Sequence, residues 1–124
     1  TIPQITEGNE YMTLAITPKS TTNRLFIEAK AHVSSSVTNN MIAALFQDTT
    51  ANALAAGGVT LPTALFATEL LVQHDMVAGT TSSTTFRIRA GGSMAGTTTF
   101  NGEGGARKLG GISLSSIKIT EYKA

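Results

Sequence analysis

The chain has 124 residues, the size of one domain that buries a core without disulfides or metal. Charged residues make up only 14% of it, and the net charge of +1 comes from scattered bases, so the composition argues against nucleic-acid binding. The absence of cysteine excludes disulfide bonds and thiolate metal sites.

The start of the chain indicates how it is processed, and its middle indicates whether it enters a membrane. It begins at Thr1 with neither a methionine nor a signal peptide, so we expect a fragment of a longer polypeptide or a processed product. Residues 53–72 are largely apolar, but Gly57, Pro62 and Glu69 interrupt them. A membrane span needs about 20 mostly apolar residues in a helix-compatible run, so we predict no membrane insertion.

Strand patterns dominate, because apolar residues recur at every second position between clusters of Gly, Pro, Asn, Ser and Thr. The predicted strands lie near residues 2–6, 12–16, 25–33, 41–48, 69–78, 84–90, 97–101 and 112–122. Residues 49–68 are interpreted as a long loop or as a segment with a helical turn. The pattern predicts a single all-β domain over residues 1–124, and we favour an eight-stranded antiparallel jelly-roll β-sandwich.

The predicted strand at residues 41–48 is apolar on both faces. Met41, Ala43 and Leu45 share one face, and Ile42, Ala44 and Phe46 share the other. A strand with two apolar faces is covered on both, and one small sandwich cannot easily cover both sets. We therefore predict that Ile42, Ala44 and Phe46 lie at the subunit interface of a homotrimer.

The last predicted strand contains a change of phase. Ile112 and Leu114 have one parity, whereas Ile117 and Ile119 have the opposite one. Either a β-bulge near residues 115–116 or a second apolar interface facing Leu114 would explain this pattern. Leu114 is therefore included in the predicted trimer interface.

A glycine-rich loop, "FNGEGGARKLGG", precedes that strand. Phosphate-binding loops lead into a helix N-terminus, and here a strand follows, so the sequence argues against nucleotide binding. Two interpretations remain open, a sugar-binding loop and a solvated hairpin whose charges prevent edge association. The candidate ligand-binding residues are Phe100, Asn101, Glu103, Arg107 and Lys108.

No catalytic or metal-binding constellation stands out elsewhere. His32 and His74 are isolated, and no two of the acids share a strand face at close spacing, so we expect no enzyme activity, metal or cofactor. Arg87 and Arg89 point outward together from one predicted strand. They either bind anions or a neighbouring subunit's carboxylates, or form a solvated edge.

Both ends of the chain resemble the terminal β-sandwich domain of bacteriophage tail fibres and tail spikes. The resemblance covers residues 1–29 and 100–122 and leaves the middle undefined. The matching residues are Pro3, Glu7, Gly8, Tyr11, Pro18, Asn23, Leu25, Ile27, Asn101, Arg107, Gly110, Gly111, Ser116, Ile117, Ile119 and Glu121.

This resemblance implies a jelly roll similar to the tumour-necrosis-factor sandwich, placed at the C-terminus of a trimeric fibre on the virion. Such a domain caps the trimer and contacts bacterial surface polysaccharide or lipopolysaccharide outside the cell. Two alternatives are a trimerisation or capsid-decoration element with no ligand, and a part of a polysaccharide-degrading spike. The absence of a carboxylate cluster argues against the last of these.

Overall fold

The computed structural model describes residues 1–124, and the chain folds into two packed antiparallel sheets with a single short 3-10 turn. The strands are β1 (Asn9–Ile16), β2 (Arg24–Ser35), β3 (Asn40–Gln47), β4 (Ala55–Thr60), β5 (Ala67–Val77), β6 (Thr84–Gly92), β7 (Thr98–Phe100), β8 (Gly102–Glu103), β9 (Ala106–Arg107) and β10 (Ser116–Tyr122). The 3-10 turn spans Leu109–Gly111. No helix has the length and apolarity that a membrane crossing requires.

Sheet 1 has the strand order β1-β6-β3-β4, and sheet 2 has the order β10-β2-β5. Strand β7 also pairs with β2, beyond the end of β10. A separate hairpin joins β8 to β9. The all-β prediction is therefore confirmed, and the two sheets form a β-sandwich.

Strand β2 forms the centre of the core, as its alternation predicts. Its inward side chains from Leu25 to Val33 are buried, while those between them lie partly exposed on the outer face of sheet 2. Phe86 and Ile88 on β6 face them from sheet 1 and are fully buried. The core thus consists of the inward residues of both sheets.

Three predicted elements differ from the structure. Residues 2–6 do not form a strand, since only an isolated bridge joins Gln4 to Asn52. Residues 49–68 contain β4, which pairs with β3. The last strand begins at Ser116, so Ile112 and Leu114 lie before it. The change of phase therefore marks the boundary between a loop and a strand, and it is not a β-bulge.

The outer face of sheet 1 is partly covered by residues 1–8, here termed the N-terminal arm. Its backbone is bound to the segment after β3, because Ile5 donates to the Ala51 carbonyl at 2.8 Å and Ala53 donates to the Pro3 carbonyl at 3.0 Å. Arg89 donates to the carbonyls of Glu7 at 2.9 Å and Gly8 at 2.7 Å. A cavity of about 490 Å³ remains between the arm and the sheet.

The second apolar set of β3 is covered unevenly within one chain. Phe46 is 1% exposed and Ala44 is buried within one chain, whereas Ile42 is 39% exposed. Ile2 and Pro3 of the arm line the same cavity as these three side chains. A single chain thus covers most of the set, so their burial does not require a second subunit.

We expect Phe46→Ala to lower the free energy of unfolding by about 3–5 kcal/mol, because it removes a buried aromatic ring and leaves a cavity. Ile42→Ala on the same face is the matched control and should cost much less, since its side chain is already partly solvated. Urea denaturation measures both. Equal losses for the two variants would contradict burial of Phe46 within the chain.

Candidate functional site

The candidate site is a loop that interrupts one strand of sheet 2. Strands β7 and β10 lie on the same side of β2, with Phe100 beside Val33 and Ser116 beside Lys30. The chain leaves the sheet after Asn101 and returns at Ser115. We call residues 102–114 the display loop. A compact loop with adjoining ends is a frequent carrier of function.

A hydrogen-bonded clasp closes the base of the display loop. The Asn101 Oδ1 atom accepts the Ser115 amide at 2.7 Å and the Ser115 hydroxyl at 2.6 Å. The Asn101 amide donates to the His32 carbonyl at 2.8 Å, and the His32 amide donates to Ser115 Oγ at 2.9 Å. Asn101 has a φ of 65°, a left-handed conformation that asparagine tolerates better than most residues. The clasp therefore joins both ends of the loop to β2.

The first half of the display loop is the β8–β9 hairpin. Its two turn residues, Gly104 and Gly105, have φ of 58° and 79°, the positive values that a tight type I′ turn requires. Ser34 donates to the Gly102 carbonyl at 2.8 Å, and the Gly105 amide donates to Thr99 Oγ1 at 2.8 Å. The hairpin is thus attached to the sandwich at its base and at its tip.

The second half is braced by Arg107 and carries exposed apolar side chains. The Arg107 guanidinium donates to the carbonyls of Gly111 at 2.8 Å and Ser113 at 3.4 Å. Leu109 has a φ of 51° and is 76% exposed, and Ile112 is 79% exposed. A strained, solvated leucine is costly in an isolated domain, so this half of the loop is suited to contact another surface.

The five candidate ligand-binding residues therefore differ in availability. Phe100 is half-buried and stacks on Tyr11 with ring centroids 4.4 Å apart, and Asn101 and Arg107 make the internal bonds described above. Glu103 and Lys108 are paired only loosely, with Lys108 Nζ 3.9 Å from Glu103 Oε2. These last two side chains are the ones that the interior of the loop leaves most available.

The predicted interface residues do not form one surface. Ile42, Ala44 and Phe46 lie on the outer face of sheet 1, beneath the N-terminal arm. Leu114 is 56% exposed and belongs to the display loop, which leaves sheet 2. Within one chain these four residues therefore lie in two regions.

The outward arginines of β6 are engaged within the chain. Arg87 lies 3.3 Å from a carboxylate oxygen of Glu10, and Arg89 binds the N-terminal arm. No three side chains among His, Asp and Glu lie close enough to hold a metal ion. His32 lies beside the clasp, and its Nδ1 atom is buried without a hydrogen-bond partner in the protein.

A polar cluster at the opposite end of sheet 2 is absent from the sequence-based candidates. Asp75 accepts the Arg24 Nε–H at 2.9 Å and the Tyr122 hydroxyl at 2.6 Å. These residues come from β2, β5 and β10, and the two pairing registers of β2 bring them together. The sequence pattern predicts that Arg24 points outward from its strand. It does not predict that Asp75 and Tyr122 lie beside it, because this depends on how β2 pairs with β5 and with β10.

The titration behaviour of this end of the sheet follows from its hydrogen bonds. The Tyr122 hydroxyl and the Arg24 guanidinium lower the pKa of Asp75 below its ordinary value of 3.8. The same bond to Asp75 raises the pKa of Tyr122. The Asn23 amide and the Lys19 backbone N–H lower the pKa of Glu121. Both carboxylates are thus held in their ionised forms.

Comparison with known proteins assigns no family to the chain. No protein-family model matches it, and the search of curated proteins finds no match.

We expect Asn101→Ala to destabilise the domain by about 1–3 kcal/mol, because it removes the acceptor of two hydrogen bonds and places alanine at a left-handed φ. Asn101→Gly is the informative control, since it keeps the backbone conformation and removes only the clasp. Thermal and urea unfolding measure both variants. Wild-type stability of the glycine variant would show that the clasp contributes nothing.

The lowered pKa of Asp75 predicts an acid-sensitive contribution to stability. Because the folded pKa lies below the unfolded one, this contribution is complete well above pH 3.8 and is lost as pH falls through the folded pKa. Asp75→Asn should therefore flatten the dependence of the urea midpoint on pH between about 2 and 6. Glu28→Gln is the control on the same face, and an equal slope for Asp75→Asn and wild type would contradict the assignment.

Proposed function

We propose that this chain is the trimeric C-terminal receptor-binding and capping module of a bacteriophage tail fibre or tail spike. It acts on the virion surface, outside the cell, and has no catalytic role. The observation that carries the proposal is the display loop, whose two ends are closed at the sheet by a hydrogen-bonded clasp. Rigid scaffolds with exposed, well-ordered loops are typical of binding modules.

The strand order supports a jelly roll as the finer fold. The pairs β3–β4, β2–β5 and β1–β6 are successive segments of one antiparallel ribbon, and they alternate between sheets 1, 2 and 1. Such a wound ribbon is the pattern of a jelly roll. The next segment would pair β10 with the chain before β1, but the N-terminal arm crosses sheet 1 instead. On this assignment the ribbon lacks its outermost pair.

The residues that carry the family resemblance have structural roles. Asn101 forms the clasp, Arg107 braces the loop, and Gly110 and Gly111 adopt φ of 66° and 83°. Glu121 accepts the Lys19 amide and the Asn23 side-chain amide, each at 2.7 Å. These residues specify how the loop and the chain ends are held, so the resemblance supports a shared architecture more than a shared ligand.

The proposed ligand of the display loop is a bacterial surface polysaccharide or lipopolysaccharide. Glu103 and Lys108 supply a carboxylate and an ammonium group beside a glycine turn that lets a ligand approach the backbone. One such shallow site binds weakly, and three linked copies would raise the overall affinity through avidity.

A ligand-free assembly element is the second candidate, because the exposed apolar half of the display loop favours it. Leu109, Ile112 and Leu114 are all strongly exposed. If they pack against a neighbouring subunit, the loop completes the trimer and binds no receptor.

The test is an array of bacterial surface polysaccharides probed with wild type and with Glu103→Ala/Lys108→Ala. The double substitution leaves the clasp and the Arg107 brace intact, so binding should fall by about tenfold or more while stability is retained. Arg87→Ala/Glu10→Ala removes an equivalent pair from sheet 1 and should bind as wild type.

Light scattering on the same samples should give the mass of a trimer. A monomer at micromolar concentration would overturn the trimeric assignment. A stable trimer that binds no polysaccharide would favour the assembly element over the receptor-binding module.

A further inference from the structure

The sandwich is closed along one side and open along the other. On the closed side β4 packs against β5, where a Cβ atom on Gly57 would lie 2.7 Å from the Leu71 carbonyl oxygen, and the core-facing Val72 is buried. On the other side β1 faces β10, and each of these two strands pairs with one neighbour only. We call the surface between β1 and β10 the open edge.

Core-facing side chains at the open edge remain partly solvated. Ile119 of β10 lies beside Ile27 of β2 in the pairing register, yet Ile27 is fully buried and Ile119 is only half-buried. Ile117 is half-buried as well. Leu14 of β1, the register neighbour of the buried Phe86, is 38% exposed. Covering this apolar surface would favour association, because the burial of apolar surface is its main driving term.

The backbone of β10 also has a free side. In an antiparallel pair, every second residue directs its N–H and C=O groups toward the neighbouring strand, and the residues between them direct theirs away. Strand β10 bonds to β2 alone, and none of the backbone hydrogen bonds outside the sheets involves Ser116–Tyr122. Another strand is the partner that offers donors and acceptors at the spacing of this edge.

Of the two free strands, β10 is the better template for a further strand. The pairing of β1 with β6 shifts register between Glu10 and Met12, and such an irregularity disturbs the free side of an edge strand. The pairing of β10 with β2 is regular over all 7 residues of β10. An added strand therefore fits beside β10.

Lys118 determines which strand fits there. Its side chain is exposed on the outer face of sheet 2 and forms no ion pair within the chain, although Glu28 lies opposite it on β2. A lysine on a free edge opposes pairing with most strands, because its ammonium group would lose water. An acidic residue directly opposite Lys118 on an added strand would instead form a favourable cross-strand pair.

We propose that β10 accepts an extended strand of a partner protein with the pattern apolar-acidic-apolar. The acidic residue would lie opposite Lys118 on the outer face, and the two apolar residues would cover Ile117 and Ile119 at the open edge. The backbone of the partner would supply the hydrogen bonds that β10 lacks on this side. The open edge is separate from the display loop, and its occupant does not depend on the ligand proposed for that loop.

The probe is a short peptide with blocked ends, in which threonines flank a central valine-glutamate-valine sequence. Amide chemical-shift mapping and hydrogen exchange of the domain, with the peptide at millimolar concentration, measure its binding. We expect saturable shifts along Ser116–Tyr122 and slower exchange of the β10 amides that point away from β2. The same amides should exchange freely without peptide.

Three altered peptides test the three parts of the site. Methylation of the backbone nitrogens that face β10 removes the strand hydrogen bonds and should weaken binding by about tenfold or more. Replacement of both valines by serine removes the apolar cover and should also weaken binding by about tenfold. Replacement of the glutamate by lysine places like charges opposite each other and should weaken binding by about fivefold.

Variants of Lys118 test the charge preference from the side of the protein. Lys118→Glu should reverse it, so that the lysine peptide binds more tightly than the glutamate peptide. Lys118→Arg keeps the cation and is the matched control, which should retain the preference of wild type. Because the side chain is exposed, both variants should fold as wild type does, and the amide spectrum checks this.

Equal affinity for the methylated and the unmethylated peptide would overturn strand pairing, and the absence of a saturable shift with every peptide would overturn the site. An unchanged preference in Lys118→Glu would overturn the acidic partner. The outward β10 amides could also be protected without peptide, in an assembly whose mass by light scattering is a multiple of the chain. That result would assign the open edge to a second copy of this chain and overturn the proposed partner.

Discussion

The hydrogen bonds between Asn101 and Ser115 hold together two halves of what would otherwise be one strand. Their lengths, 2.6 and 2.7 Å, make the Asn101 side chain a substitute for the backbone pairing that the loop interrupts. Because His32 bonds to both partners, the clasp is attached to the central strand of sheet 2. The position of the display loop, with its exposed apolar half and its loosely paired Glu103 and Lys108, depends on this attachment.

Strand β2 supplies the framework for both the display loop and the polar cluster of Arg24, Asp75 and Tyr122. It pairs with β5 on one side and with β10 and β7 on the other, so its two ends fix two distant surfaces. His32 and Ser34 hold the base of the display loop, and Arg24 at the other end of β2 aligns Asp75 with Tyr122. A single strand therefore positions both the display loop and the polar cluster of Arg24, Asp75 and Tyr122, while one core stabilises the domain.

The sequence predicts a strand and its buried face well where apolar and polar residues alternate, and poorly where they do not. Residues 25–33 alternate strictly between apolar and polar, and this pattern predicts the inward face of β2. Strand β4 was not predicted because its sequence, "AAGGVT", has little β propensity. Gly57 is nonetheless required there, since a Cβ atom would lie 2.7 Å from the Leu71 carbonyl oxygen of the opposing sheet. Such a close approach between sheets is a property of the tertiary structure, and no local pattern reveals it.

The roles of the candidate functional residues were likewise only partly predictable from the sequence. The composition of the loop identified Asn101 and Arg107 as polar and available, but their partners are backbone groups that only the fold brings near. The coverage of Phe46 depends on the N-terminal arm, which has no periodic pattern of its own. The cluster of Arg24, Asp75 and Tyr122 requires three strands in register. In each case the residue type was visible in the sequence, and its role followed from a long-range pairing.

We expect the clasp to make the display loop as rigid as the sheet that carries it. Backbone ¹⁵N relaxation of the wild-type domain tests this most directly, by comparing heteronuclear NOE values and order parameters of residues 102–114 with those of β2. We expect order parameters close to those of rigid backbone, about 0.85, through most of the loop. Values below about 0.6 along the loop, beside a rigid β2, would contradict it.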